Sequence, residues 1–206
     1  MSSFAVANLP NVASLSTALK TLEVETGPSF AILKMDKVEG WVFGADQTKV
    51  EDDSTWAVNP FSFVHGFIAW GDREVLGEKL VPVTQPLPEL DAAPANCKKG
   101  WEKQLGFALR CLSGKDKGLE VRFTTTSHGG LRAVAALGTH ITTQVEADQT
   151  KPVPVVLLKK SFYNHKSYGK VYTPEFNVVD WVSMDGVADA GSTDEEAPAA
   201  RRRRSA

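Results

Sequence analysis

The sequence predicts a β-rich α+β fold: one domain over residues 28–182, a short helical arm over 1–27 and a disordered tail over 183–206. Three observations carry this. Short apolar runs alternate with turn residues through much of the chain, the pattern of strands joined by tight connections. The stretch after Ser127 keeps a long three-and-four spacing of apolar residues, the signature of an amphipathic helix. Beyond Asp185 large apolar side chains almost vanish, so nothing offsets the entropy of ordering that segment.

Taken in order, Val12, Leu15, Leu19 and Leu22 fall on one stripe of a helix that Gly27 and Pro28 end. FAILKMDK and VEGWVFG read as two strands, and the acidic stretch 45–54 (ADQTKVEDDS) as a surface loop with nothing to bury. Two further β runs flank Gly71 and Asp72, a turn pair, and form a hairpin. In its first run Phe61, Phe63, His65 and Phe67 alternate onto one face and Val64, Ile68 and Trp70 onto the other, as in a central strand. Pro82, Pro86, Pro88 and Pro94 forbid regular pairing and leave 81–96 an extended connector. Trp101, Leu105, Ala108, Leu109 and Leu112 resume helical spacing, with Gly114 placed to end that helix. LEVRFTTTS is a strand. Ser127 suits an N-cap, and Leu131, Val134, Leu137, Ile141 and Val145 mark the amphipathic helix behind it. VPVVLLKKSFY and KVYTPEFNVVDWV close the domain as two strands joined through NHKSYG at 164–169.

Composition narrows the function classes. The 206 residues are 42% apolar and 23% charged, as in folded globular chains. No apolar run approaches the roughly 18 residues that span a bilayer, and the amino terminus lacks a secretory signal, so the expected setting is the cytoplasm, with no membrane partner. Cys97 and Cys111 stand outside any CxxC pattern and read as reduced thiols. The four histidines, His65, His128, His140 and His165, show no metal or catalytic spacing, and GKDKG at 114–118 lacks the helix-opening Lys-Ser/Thr of a phosphate loop. The expectation is therefore a non-enzymatic protein with no cofactor and no metal.

The net charge is −2, yet from Lys151 to Pro174 there are five lysines and no acid. A local basic strip can exist on an acidic protein. Strand alternation through KSYGKVY aims Lys166, Tyr168, Lys170 and Tyr172 at one side, beside Lys159, Lys160 and Tyr163. Cations that track phosphates and rings that stack on bases are what a single nucleic-acid strand requires. The residues admit a second reading, in which the tyrosines pack against a loop and the lysines are solvated. Trp41, Phe43 and Trp56 flank the acidic loop and offer either another stacking platform or core packing. Arg122 points into the groove of Lys159 or into water.

The closing segment KSFYNHKSYGKVYTPEFNVVDWV, with weaker support from NPFSFVHGFIAWGD, resembles bacteriophage single-stranded DNA-binding proteins of the OB-fold type. That resemblance implies a five-stranded OB-like barrel, a helix inserted between its middle strands, and a groove lined by Lys and aromatic residues. The expected partner is single-stranded DNA, coated during replication or recombination. Replication or recombination proteins are expected at the tail, and a homodimer is compatible with the sequence. The tail carries five acids followed by Arg201 to Arg204 and has no aromatic tip, which departs from the family pattern. The alternative is a phage structural or protein-interaction module anchored by that arginine run.

Overall fold

The computed structural model describes residues 30–36, 40–167 and 169–189. The chain divides into two units, Met1–Phe30 and Ala31–Ala206, and every element below lies in the second. The expected helix from Val12 to Leu22 and the tail from residue 190 fall outside the described residues. Among the described residues the strands are β1 (Ala31–Asp36), β2 (Gly40–Phe43), β3 (Thr48–Lys49), β4 (Thr55–Val58), β5 (Val64–Trp70), β6 (Val75–Pro82), β7 (Trp101–Cys111), β8 (Glu120–Thr125), β9 (Val153–His165) and β10 (Gly169–Val182). Helix α1 spans His128–Ala147 and α2 spans Met184–Asp189.

The protein is β-rich, with one large mixed sheet. Hydrogen-bonded neighbours run β10, β9, β4, β7, β8, β1, β2, β3, with β5 and β6 branching from β7. β1 lies parallel to β8, whereas β9 with β10 and β7 with β8 are antiparallel. The path is open: among the described residues no ladder joins β9 or β10 to β1, β2 or β3. The pairing therefore does not close into the five-stranded barrel that the resemblance implied, because β1 occupies the edge of β8 that closure would need.

Strand β7 is the hub, and it replaces the helix expected over 101–112. Leu105, Phe107, Leu109 and Cys111 fit a period of two as well as Leu105, Ala108, Leu109 and Leu112 fit a helix. Pairing decides between them: β4 and β5 lie end to end along one edge of β7, and β8 lies along the other. A helix would leave all three ladders unmade.

Two smaller expectations also change. The loop 45–54 does bury residues, since Val50 joins the core and the Ser54 hydroxyl accepts a hydrogen bond from Trp56 Nε1 at 2.9 Å. Phe61 was expected to face inward with Phe63 but is 77% exposed. The Asn59 side chain accepts from Phe61 N and caps a 3-10 turn over Pro60–Ser62, so the strand starts only at Val64. The hairpin beyond it forms as expected, with Gly71 N donating to Glu74 O. At the far end Ser183 Oγ accepts from Gly186 N at the start of α2.

Helix α1 begins where Ser127 Oγ accepts from Gly130 N at 3.1 Å, and it packs Val134 and Leu137 into the core against β10 and β7. The core itself is held by rings. Phe107 on β7 stacks on Phe63 at 4.9 Å between centroids and meets Phe176 of β10 edge-on at 5.1 Å. Phe176 also contacts Phe123 of β8 at 5.4 Å and Trp41 of β2 at 5.6 Å. Side chains thus join the two ends of a sheet whose backbone ladder stays open. Replacing Phe107 by Ala leaves a cavity at the centre of this cluster, and urea unfolding is expected to show a loss of about 3 to 5 kcal/mol. Phe61→Ala, at an exposed turn, is expected to stay within about 0.5 kcal/mol of the parent in the same measurement.

Candidate functional site

Strands β9 and β10 pair continuously from Val153 opposite Val182 to His165 opposite Gly169, with one irregularity between Val178 and Asp180. Their inner half is fastened to the sheet, since β4 pairs with β9 from Val155 to Leu157. From Leu158 outward β9 keeps β10 as its only ladder partner among the described strands, so the hairpin continues as a two-stranded ribbon. Gly169, at φ +67°, supplies the left-handed residue that closes the turn.

Register sorts the ribbon into two faces. On one face Phe162 stands directly opposite Tyr172, with Lys160 and Lys170 alternating beside them. The rings meet edge-on at 6.3 Å, Lys170 Nζ lies 3.9 Å from the Phe162 centroid, and Lys160 Nζ lies 4.9 Å from that of Tyr172. Phe162 is 57% exposed. The same face runs inward through Pro174, Leu158 and Phe176 to the core, so an interior stripe emerges into solvent. Lys160 also passes close over Gly40, whose φ of +87° is a conformation that other residues adopt only with strain.

The other face carries Lys159, Ser161 and Tyr163, opposite Glu175, Thr173 and Val171. Lys159 Nζ is held 2.6 Å from Asp53 Oδ1 in the acidic loop. Asp53 sits at φ +63°, and its neighbour Asp52 pairs with Lys49 at 3.5 Å. The hydrogen bond from Lys159, and then its charge, hold the Asp53 carboxyl below the usual aspartate range.

Of the residues expected at the site, Lys160, Lys170 and Tyr172 come together. Lys159 and Tyr163 lie on the opposite face, and Lys166 is exposed in the turn. Tyr168 falls outside the described residues. Arg122 is exposed on β8 between Ala108 and Ile32 and lines neither groove that Lys159 lines. Trp41 and Trp56 are core residues and not a stacking platform: Trp41 is 6% exposed and Trp56 fully buried. The indole N–H of Trp41 donates to Lys159 O at 2.8 Å, on the edge of β9 that β4 leaves unpaired. Phe162 was missed. Its place was legible, because it and Tyr172 lie five residues to either side of Ser167, the centre of the turn.

A groove of about 450 Å³ adjoins the aromatic face, bounded by Lys34 and Asp36 of β1, Thr125 and Ser127 at the end of β8, and Lys170 and Tyr172 of β10. Neither cysteine is in a disulfide, and burial pushes the Cys111 thiol up, which keeps it protonated. No described helix is long and apolar enough to cross a membrane.

The acidic-loop contact has a titration signature. Because the folded-state pKa of Asp53 is depressed, the ion pair stabilises the fold fully above the unfolded-state value near 3.8 and its contribution is lost as pH falls through the lower folded value. Carboxyl NMR titration is expected to place Asp53 below that value in the parent and to return it to the ordinary range in Lys159→Ala.

Comparison of the chain with protein-family models, with curated proteins and with solved structures finds no match.

Proposed function

We propose that the protein binds single-stranded DNA along the outer half of the β9–β10 hairpin, coating strands during phage-type replication or recombination. The observation that carries this reading is the facing pair Phe162 and Tyr172 with Lys160 and Lys170 laid over their rings. Phe162 is exposed and Tyr172 half-buried, and each ring offers a base a stacking surface worth about 1 to 3 kcal/mol without a demand for sequence. An ammonium group already beside the ring meets the phosphate of the stacked nucleotide with little reorganisation. The adjoining groove extends the track with Lys34 and with the hydroxyls of Thr125 and Ser127.

An OB-like core belongs to the same proposal. Strands β4, β7, β8, β9 and β10 would be its five, with α1 between β8 and β9 as the resemblance implies. In that architecture the connections between the first two and the last two strands bind oligonucleotides. Here those connections are the segment holding β5 and β6 and the tip of the β9–β10 hairpin.

Fluorescence anisotropy with labelled oligo-dT at low salt tests the reading. The parent is expected to bind, with an affinity that falls as log salt rises by about 0.7 per phosphate contacted. Phe162→Ala and Tyr172→Ala are each expected to weaken binding by about 1 to 3 kcal/mol while the thermal midpoint stays put. No affinity for oligo-dT at low salt would overturn the proposal. A stoichiometric protein partner retained at high salt would point instead to the protein-interaction module.

A further inference from the structure

The hairpin's second face borders another groove, of about 820 Å³, whose opposite wall is α1. Along that wall His128, Arg132, Ala136 and His140 recur at every fourth residue and so lie on one stripe of the helix. The small Ala136 leaves the middle of the stripe open. Tyr163 of β9 lines the same groove and is 50% exposed. Glu175 is the one carboxylate among the described residues lining the groove, and it stands directly opposite Lys159 in the ladder. The first turn of α1 contains no acid. The groove thus places a flat ring near side-chain donors, as the first face does, on the far side of a ribbon only two strands wide.

Resting on the reading above, we propose that this groove takes a second stretch of the same single strand, which turns around the ribbon after leaving Phe162 and Tyr172. Its phosphates run along the stripe of Arg132, with His128 and His140 as further donors, and a base stacks on Tyr163. Strands in a ribbon are about 5 Å apart, so the crossing takes no more than a few nucleotides. The guanidinium of Arg132 suits this role because its planar fork meets phosphate oxygens in pairs. Lys159 is already occupied by Asp53 and is not required.

The experiment compares dT oligonucleotides of about 4 and about 16 nucleotides, the ends of the range that such modules cover. Anisotropy is read for the full chain, for Arg132→Ala, for Tyr163→Ala and for the double variant Phe162→Ala/Tyr172→Ala. The first two variants are expected to weaken the long oligonucleotide by about tenfold each and to leave the short one unchanged. Arg132→Ala is also expected to lower the salt slope of the long oligonucleotide by about 0.7. The double variant weakens both lengths. The inference is overturned if Arg132→Ala and Tyr163→Ala bind both lengths as the parent does, or if they weaken both lengths equally. With either result the first face still stands, provided the double variant loses affinity; failure of the parent to bind any length removes both proposals together.

Discussion

The arrangement depends on a cluster of five rings that does what the backbone ladder does not. Trp41, Phe123 and Phe107 belong to β2, β8 and β7, Phe63 to the segment leading into β5, and Phe176 to β10 at the opposite end of the strand order. Their centroids lie 4.9 to 5.7 Å apart. Tilted and edge-on contacts at that range add about 0.5 to 1.5 kcal/mol per pair beyond the area they bury. An open, twisted sheet has two free edges, and here side-chain packing brings them together, with the indole N–H of Trp41 reaching the carbonyl of Lys159.

The exposed end of the hairpin follows from this. Because Phe176 is fixed in the core, the face of β10 that it occupies is fixed too, and alternation carries Pro174, Tyr172 and Lys170 outward on the same side. Opposite them on β9, Leu158, Lys160 and Phe162 obey the same rule. Chemistry changes along the stripe from aliphatic and aromatic to aromatic and cationic at the point where β4 stops pairing. Beyond that point the ladder carries Phe162 and Tyr172 to the surface, Phe162 exposed and Tyr172 half-buried, with Lys160 and Lys170 against their rings. On the other side Asp53 engages Lys159 and Glu175 stands opposite it, while Asp36 lines the groove beside the aromatic face.

The two faces of the ribbon differ in how they are prepared. The first has its ammonium groups already resting on its rings, while the second has its donors on a separate helix across a groove. On the proposed reading a ligand at the first face would exchange the ring contacts of Lys160 and Lys170 for its own, and one at the second would fill space between the ribbon and α1.

Local pattern determined the strands β8, β9 and β10, the hairpin of β5 and β6, the N-cap at Ser127 and the course of α1, because each is written in periodicity and turn chemistry over a few neighbouring residues. It also determined that lysines and tyrosines gather near the end of the domain, since the acid-free run is a property of the chain itself. Tertiary structure alone decided that Trp101–Cys111 is a strand, for its apolar residues fit both periods and only the neighbours β4, β5 and β8 break the tie. It alone buried Trp41 and Trp56, which no local rule separates from the exposed Phe162. It alone divided Lys159 and Tyr163 from Lys160 and Tyr172, because the face a residue takes depends on register across the hairpin and on which side the core lies.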